Sequence, residues 1–276
     1  VKESMVYSVR IIGPGRAGMS LTGALKGTSF EVVGVLGRSD GPEAVAQAAH
    51  GVDLLVLAVP DREVPKVASI VEPNSSTVVA HMAGSLGLDA LWPHERRASM
   101  HPLVPLVNER IGALRLRQGC TFAVEGDPLV VELVETLGGR TISLDPSKRV
   151  AYHAAACIAA NHVVALMSQV ERIAARAGLS LGDFEGLAKL ALEDAFALGP
   201  SHAITGPAAR GDTVTLQAHR TEMGPVDRQA YDALARLAGM LPKDKGGLLP
   251  DEHTGEPPKE QVLDERARVL ATEAVG

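Results

Sequence analysis

Gly13-Pro14-Gly15-Arg16-Ala17-Gly18 follows the apolar run Val9-Arg10-Ile11-Ile12 and precedes Met19-Ser20-Leu21-Thr22-Gly23-Ala24-Leu25, a stretch of helical character. The order is strand, glycine turn, helix, with glycines spaced G-x-G-x-x-G, which is the context a dinucleotide-binding loop requires. Gly13 permits the tight turn, Gly15 lets the backbone approach a pyrophosphate, and Gly18 lets the helix pack closely on the strand. Pro14, Arg16 and Ala17 complete the loop. Its free N–H groups and the positive end of the helix dipole face the phosphates. A chance glycine turn spells the same six letters, but its place in the first strand–helix unit favours the nucleotide.

The second strand, Phe30 to Leu36, ends in Gly37-Arg38-Ser39. A site that prefers NAD carries an Asp or Glu near this position to accept from the ribose hydroxyls. Here Arg38 and Ser39 stand instead, and Asp40 comes one or two positions late. A guanidinium pairs with a 2′-phosphate and stacks on adenine, so the expected cofactor is NADP. The plain alternative is a solvated surface arginine.

Strands and helices alternate through the first half. Tyr7–Ile12, Phe30–Leu36, Val52–Val59, Thr77–His81, Ala98–His101, Thr121–Val124 and Thr141–Ser143 read as strands, with Pro42–His50 and Pro128–Leu137 as helices. Alternation of this kind predicts an α/β, doubly wound, mostly parallel sheet. After about Asp145 the strand signal ends. Arg149–Ala177, Leu181–Leu198 and Val226–Met240 read as helices, with Pro200–Thr213 a turn-rich interruption. The expected domains are a nucleotide-binding domain over 1–145 and an all-helical domain over 146–276 for substrate and dimerisation. Within the second, 241–260 reads as poorly ordered and Gln261–Ala271 as a short helix. Ala154–Met167 is apolar nearly all round, so its helix is expected to be buried on most faces or to form a dimer core. Asn161 and His162 interrupt it, and the apolar run reads as too short to span a bilayer.

The 276 residues carry 27 Lys and Arg against 33 Asp and Glu, a net charge of −6 with no basic block, which argues against a nucleic-acid partner. Aromatic residues are only 3%, too few for stacking platforms. Cys120 and Cys157 lie far apart without a C-x-x-C, so neither a zinc site nor a disulfide framework is expected. The sequence begins VKESMVYSVRIIG and shows no secretion signal there, so a reducing, cytoplasmic setting is expected.

Candidate site residues cluster at the carboxyl ends of strands, where open α/β sheets bind ligands. Ala58, Val59 and Pro60 end the third strand and wall the cofactor, with Asp61 capping the next helix. His81 ends the fourth strand and His101 the fifth. Each either bonds a substrate oxygen or supplies a proton, or else braces a loop carbonyl. His50, His94 and His253 read as loop residues and are weaker candidates. Lys148 starts the helical half, and His153, Cys157 and Asn161 follow at a spacing of four on one helix face. Cys157 reads as ordinary core. A buried Asn161 needs a partner, whether a substrate, a backbone group or His162, because leaving it unpaired costs about 1–3 kcal/mol. Arg210 in Thr205–Asp212 either clamps a substrate carboxylate or pairs with Asp212.

GPGRAG, AVPD, HMAGSLG and MHPL in the first half, with YHAAAC…AAN and TGPAARGD in the second, resemble the Rossmann-like proteins that carry a C-terminal domain of unknown function. These are distant relatives of ketopantoate reductase, pyrroline-5-carboxylate reductase and the 6-phosphogluconate and 3-hydroxyisobutyrate dehydrogenases. The resemblance covers roughly residues 7–240. It implies an NADP-binding domain, a helical domain of the 6-phosphogluconate dehydrogenase C-terminal type, an active site between them, and a homodimer. The better-known relatives use a Lys and an Asn one helical turn apart; here Tyr152 stands four residues after Lys148, and Asn161 eight after His153. The expected activity is NADPH-dependent reduction of a small keto acid or imine, with His153 or Lys148 as proton donor and Asn161 as substrate anchor. The alternatives are an NADP(H)-binding regulator or partner protein without turnover and, ranked last because the helical half is short, a sugar-acid dehydrogenase.

Overall fold

The computed structural model describes residues 5–241. Seven strands form one sheet: β1 (Tyr7–Ile12), β2 (Phe30–Leu36), β3 (Leu54–Leu57), β4 (Val78–His81), β5 (Arg97–Pro102), β6 (Thr121–Gly126) and β7 (Arg140–Ser143), in the spatial order 2-1-3-4-5-6-7. All neighbours run parallel except β5 and β6. The α/β doubly wound expectation holds. The strand Leu54-Leu55-Val56-Leu57 shows why such a sheet needs apolar runs rather than alternation. Leu54 and Val56 enter one core with α1 (Arg16–Leu25), while Leu55 and Leu57 enter the other with α3 (Val64–Ile70), which lies beyond the short α2 (Gly41–Ala46).

The chain leaves β1 for β2 on one side, then returns past β1 to build β3 on the other. Connections therefore diverge at the carboxyl ends of β1 and β3 and leave a crevice between them. Helix α4 (Glu109–Leu116), capped by the Asn108 side chain, packs on α1 at two glycines: a Cβ on Gly112 would lie 2.0 Å from Ser20 Oγ, and one on Gly23 would lie 2.9 Å from Ala113 Cβ. Helix α5 (Leu129–Thr136) buries Leu129, Val130, Leu133 and Val134 under β6 and β7.

A long helical stretch follows: α6 (Arg149–Cys157), a π turn (Ile158–His162) and α7 (Val163–Arg176). Internal contacts divide the chain after Leu166, within this stretch. The expectation that Ala154–Met167 is buried on most faces is overturned, for Val164 is 70% exposed and Ile158 56%. The expectation that it is too short to span a bilayer is overturned as well. The helix continues through Asn161 and His162, and Pro146–Arg176 is long and apolar enough to cross a membrane by length and composition.

The second unit, from Met167, is helical throughout its described part: the rest of α7, then α8 (Glu185–Leu198), α9 (Pro200–Ala203), α10 (Pro207–Arg210), α11 (Thr213–Thr221) and α12 (Pro225–Met240). Gln169 on α7 donates to the Asp227 carbonyl of α12 at 2.7 Å, and Arg172 pairs with the Asp227 carboxylate at 2.6 Å. Helix α11 lies where the sequence reading placed no element, between the turn-rich 200–213 and the helix at Val226. Asp212 starts it by accepting from the Thr215 N–H at 3.0 Å and its hydroxyl at 2.7 Å. The expectations for 241–260, for Gln261–Ala271 and for His253 fall almost wholly outside the described residues.

Candidate functional site

The crevice at the sheet's switch point is a cavity of about 800 Å³, within the range of small-molecule and cofactor sites. Three strand ends build it: Gly13, Pro14 and Gly15 after β1, Arg38 and Ser39 after β2, and Ala58, Val59 and Pro60 after β3. Eight of the expected cofactor residues therefore line one cleft. Gly13 has φ +117°, and a Cβ there would lie 2.5 Å from the Ala58 carbonyl oxygen, so the turn admits glycine alone. A Cβ on Gly18 would lie 2.0 Å from the Gly13 oxygen, which is the close helix–strand contact its spacing predicts. At Gly15 a Cβ would meet nothing within 4 Å; the backbone there faces open space. Arg16, Ala17 and Gly18 form the first turn of α1, behind the cleft wall.

The late acidic residue after β2 is accounted for: Asp40 Oδ2 accepts from the Gly37 N–H at 2.8 Å and so fixes the turn that carries Arg38. Arg38 and Ser39 are exposed, and Arg38 has no hydrogen-bond or ion-pair partner among the described residues. Glu63 stands on the opposite wall, 3.4 Å from Arg62.

A second cluster lies at the ends of β4 and β5 against α6. The Tyr152 hydroxyl is 2.6 Å from His101 Nδ1, and the His101 and His153 rings meet edge to face with centroids 5.7 Å apart. Gly84 makes room for both: a Cβ there would lie 2.4 Å from His153 Nδ1 and 2.9 Å from His101 Nε2. His153 Nδ1 is buried without a hydrogen-bond partner among the described residues, while its Nε2 lies 3.5 Å from Cys157 Sγ. Burial, then the neighbouring His153, holds His101 down at about 4, so its imidazole is neutral at pH 7. Burial pushes Tyr152 up to about 12 and keeps the phenol protonated.

Arg149 sets this geometry. It is 2% exposed, and its Nη2 donates to Ser99 Oγ on β5 at 3.0 Å and to Glu125 on β6. Pinned there at the start of α6, it delivers Tyr152 and His153 to His101 one turn later. Sequence reading missed Arg149, Glu125, Tyr152 and Gly84. One signal was available: Glu125 follows Phe122-Ala123-Val124 in an apolar strand, and a buried carboxylate needs a cation.

Several expectations are corrected. His81 does not face the cleft. It is fully buried, its Nδ1 accepts from the Ala83 N–H at 3.2 Å and its Nε2 lies 3.3 Å from the Gly87 carbonyl, so it braces its own loop. Asp61 caps no helix with its side chain; it accepts from the Ser85 hydroxyl at 2.8 Å and ties the loop after β3 to the loop after β4. His94 is not a loop bystander but a buried brace, its Nε2 3.0 Å from the Ala68 carbonyl. Asn161 is exposed rather than buried, because the five-residue π turn takes it off the face shared by His153 and Cys157. Lys148 is exposed and has no partner among the described residues. Arg210 is exposed, and Asp212 serves as the α11 cap.

Comparison with known proteins agrees with this architecture. A model of Rossmann-like domains matches residues 2–106, and the domain of unknown function DUF2520 matches residues 120–238. No curated protein sequence matches the chain. Among solved structures, a candidate NADP oxidoreductase from Bacteroides fragilis superposes with a TM-score of 0.70 at 17% identity, over 86% of this chain and 99% of its own. The protein TM1727 from Thermotoga maritima gives 0.62 at 24% identity, over 83% of this chain and 96% of its own. A reductive aminase from Aspergillus terreus in complex with NADPH gives 0.61 at 14% identity, over 85% of this chain and 94% of its own. These likenesses establish the fold, and the two domain matches give the chain a Rossmann-like region over residues 2–106 and a DUF2520 region over residues 120–238.

Proposed function

We propose that the chain is an NADPH-dependent oxidoreductase that reduces a small carbonyl or imine compound, with a 2-oxo acid of the ketopantoate type as the first candidate. The observation that carries the reading is the cleft, where an unobstructed Gly15 backbone and an unpaired Arg38 stand where a pyrophosphate and a 2′-phosphate would bind. Gly13, Pro14 and Gly15 would hold the pyrophosphate, Arg38 and Ser39 the 2′-phosphate, and Ala58, Val59 and Pro60 the rings. When bound, NADPH supplies the hydride. The His101–Tyr152–His153 cluster orients the substrate and holds the proton. The structural likeness to an NADP oxidoreductase and to an NADPH-bound reductive aminase supports the reading only through the shared fold.

Fluorescence titration with NADPH and NADH tests it. Arg38→Ala should weaken NADPH about tenfold to a hundredfold, the worth of a charged phosphate contact, and leave NADH unchanged. Failure of both nucleotides to bind would end the proposal. The exposed Lys148 and Asn161 favour a second reading, a nucleotide-binding protein without turnover. It is preferred if NADPH binds tightly yet a panel of 2-oxo acids and cyclic imines gives no oxidation. We also infer that the exposed apolar stretch of α6 and α7 meets a second copy of the chain. Light scattering should give a dimer that Val164→Lys dissociates, and a monomer that stays soluble without detergent would refute this.

A further inference from the structure

Burial leaves the cluster at the ends of β4 and β5 with an unusual balance of protons. His101 is neutral, since burial, the neighbouring His153 and the Arg149 guanidinium outweigh the nearby Asp61 carboxylate. A neutral imidazole donates from one nitrogen only, and giving that proton away leaves an imidazolate unless the other nitrogen is refilled. One group stands at the other nitrogen: the Tyr152 hydroxyl, 2.6 Å from Nδ1. On the far side of the ring, Nε2 sits against Gly84 beside His153 Nδ1. The Cys157 thiol faces His153 Nε2 at 3.5 Å.

We propose that Tyr152 is a positioning residue that holds His101 in the Nε2–H tautomer and refills it, so that His101 protonates the substrate oxygen without becoming a cation. The inference rests on the reductase reading above. As hydride reaches the substrate carbon, the C=O π pair moves to oxygen. His101 Nε2–H breaks and the substrate O–H forms, while Tyr152 Oη–H breaks and His101 Nδ1–H forms. The resulting phenolate recovers its proton from water. The proton thus comes from a phenol, a weak acid but a stronger one than the alcohol it creates.

The test is long-range 1H–15N correlation on the full chain with 15N-labelled histidine, the His101 signals assigned by their loss in His101→Gln. The relay requires Nε2–H with an accepting Nδ1 from pH 6 to 8, and an admixture of the Nδ1–H tautomer in Tyr152→Phe, which keeps the packed ring. A wild-type Nδ1–H tautomer means that the imidazole donates to the phenol, and the relay is overturned without need of any variant. With ketopantoate as probe, wild-type kcat should be flat from pH 6 to 9. In Tyr152→Phe, kcat should fall about a hundredfold with little change in KM, and a further tenfold for each pH unit gained. An unchanged kcat with a flat profile in the variant overturns the relay too. Absence of NADPH binding would instead remove the reductase reading and leave the tautomer result to judge the Tyr152–His101 pair alone.

Discussion

Gly15 and Gly18 stand three residues apart in one loop, yet adding a methyl group to each should break different things. At Gly18 the new Cβ would sit 2.0 Å from the Gly13 carbonyl oxygen and 3.2 Å from Ile11 Cγ2. A carbon–oxygen contact relaxes near 3.3 Å, so α1 must retreat from β1 by about 1 Å. Overpacking of this kind costs about 1–3 kcal/mol. At about 2–4 °C per kcal/mol for a chain of this size, Gly18→Ala should melt roughly 2–12 °C lower. At Gly15 the backbone has φ −85° and ψ −174°, which any residue adopts, and no atom lies within 4 Å of the new methyl. As an N-cap, alanine replaces glycine there at well under about 1 kcal/mol, so the melting point should hardly move. The methyl would, however, stand where a pyrophosphate approaches the backbone. Losing one charged hydrogen bond is worth about 1.5–3 kcal/mol, so Gly15→Ala should weaken NADPH by about ten- to a hundredfold. The assays are a thermal melt and a fluorescence titration on the same two samples. A Gly15→Ala protein that binds NADPH like the parent would refute the phosphate assignment. One that melts as low as Gly18→Ala would refute the claim that this backbone is free.

Two further outcomes follow from buried charge. Arg149→Met leaves Glu125 without its cation, which should cost about 3–5 kcal/mol in urea unfolding, whereas adding Glu125→Leu should recover most of the loss. Equal stability of the single variant and the parent would show that solvent serves Glu125 as well as Arg149 does. His81, His94 and His101 are all held neutral by burial, so the unfolded chain takes up protons near pH 6.5 while the folded chain does not. Stability is therefore full above pH 6.5 and falls with pH toward 4. With its folded value at about 4, His101 alone accounts for up to about 3 kcal/mol. Asp53 is also lowered, by its hydrogen bonds to Ser8, and its contribution is lost only below the ordinary carboxylate range. Melting points from pH 7.5 to 4.5 should drop, and less so in His101→Gln; parallel curves would mean that His101 takes a proton as readily folded as unfolded.

His81 and His101 explain why some of this molecule was legible in its sequence and some was not. Each closes or nearly closes a parallel strand at the ligand edge, and letters alone give them equal standing. The sheet, its strand ends and the glycine cleft follow from apolar runs and from glycine spacing, which are local constraints written in consecutive residues. Which way a ring turns at a strand end is not local. His81 turns inward because Ala83 and Gly87 of its own loop offer a donor and an acceptor. His101 turns toward α6 because Arg149 fixes that helix on Ser99 and Glu125, fifty and twenty-four residues away in the chain. Burial of Asn161 was misjudged for a related reason: a helical repeat of four predicts one shared face, and a single π turn after Cys157 breaks the repeat without changing any residue's apolar character. The apolar helix around it leaves Val150, Ile158 and Val164 exposed, so apolar composition there does not report burial in a single-chain core. The site itself sits where both kinds of constraint meet. Pattern places His101 at the sheet edge, and one buried ion pair, too distant in sequence for any pattern to show, decides that Tyr152 is what it touches.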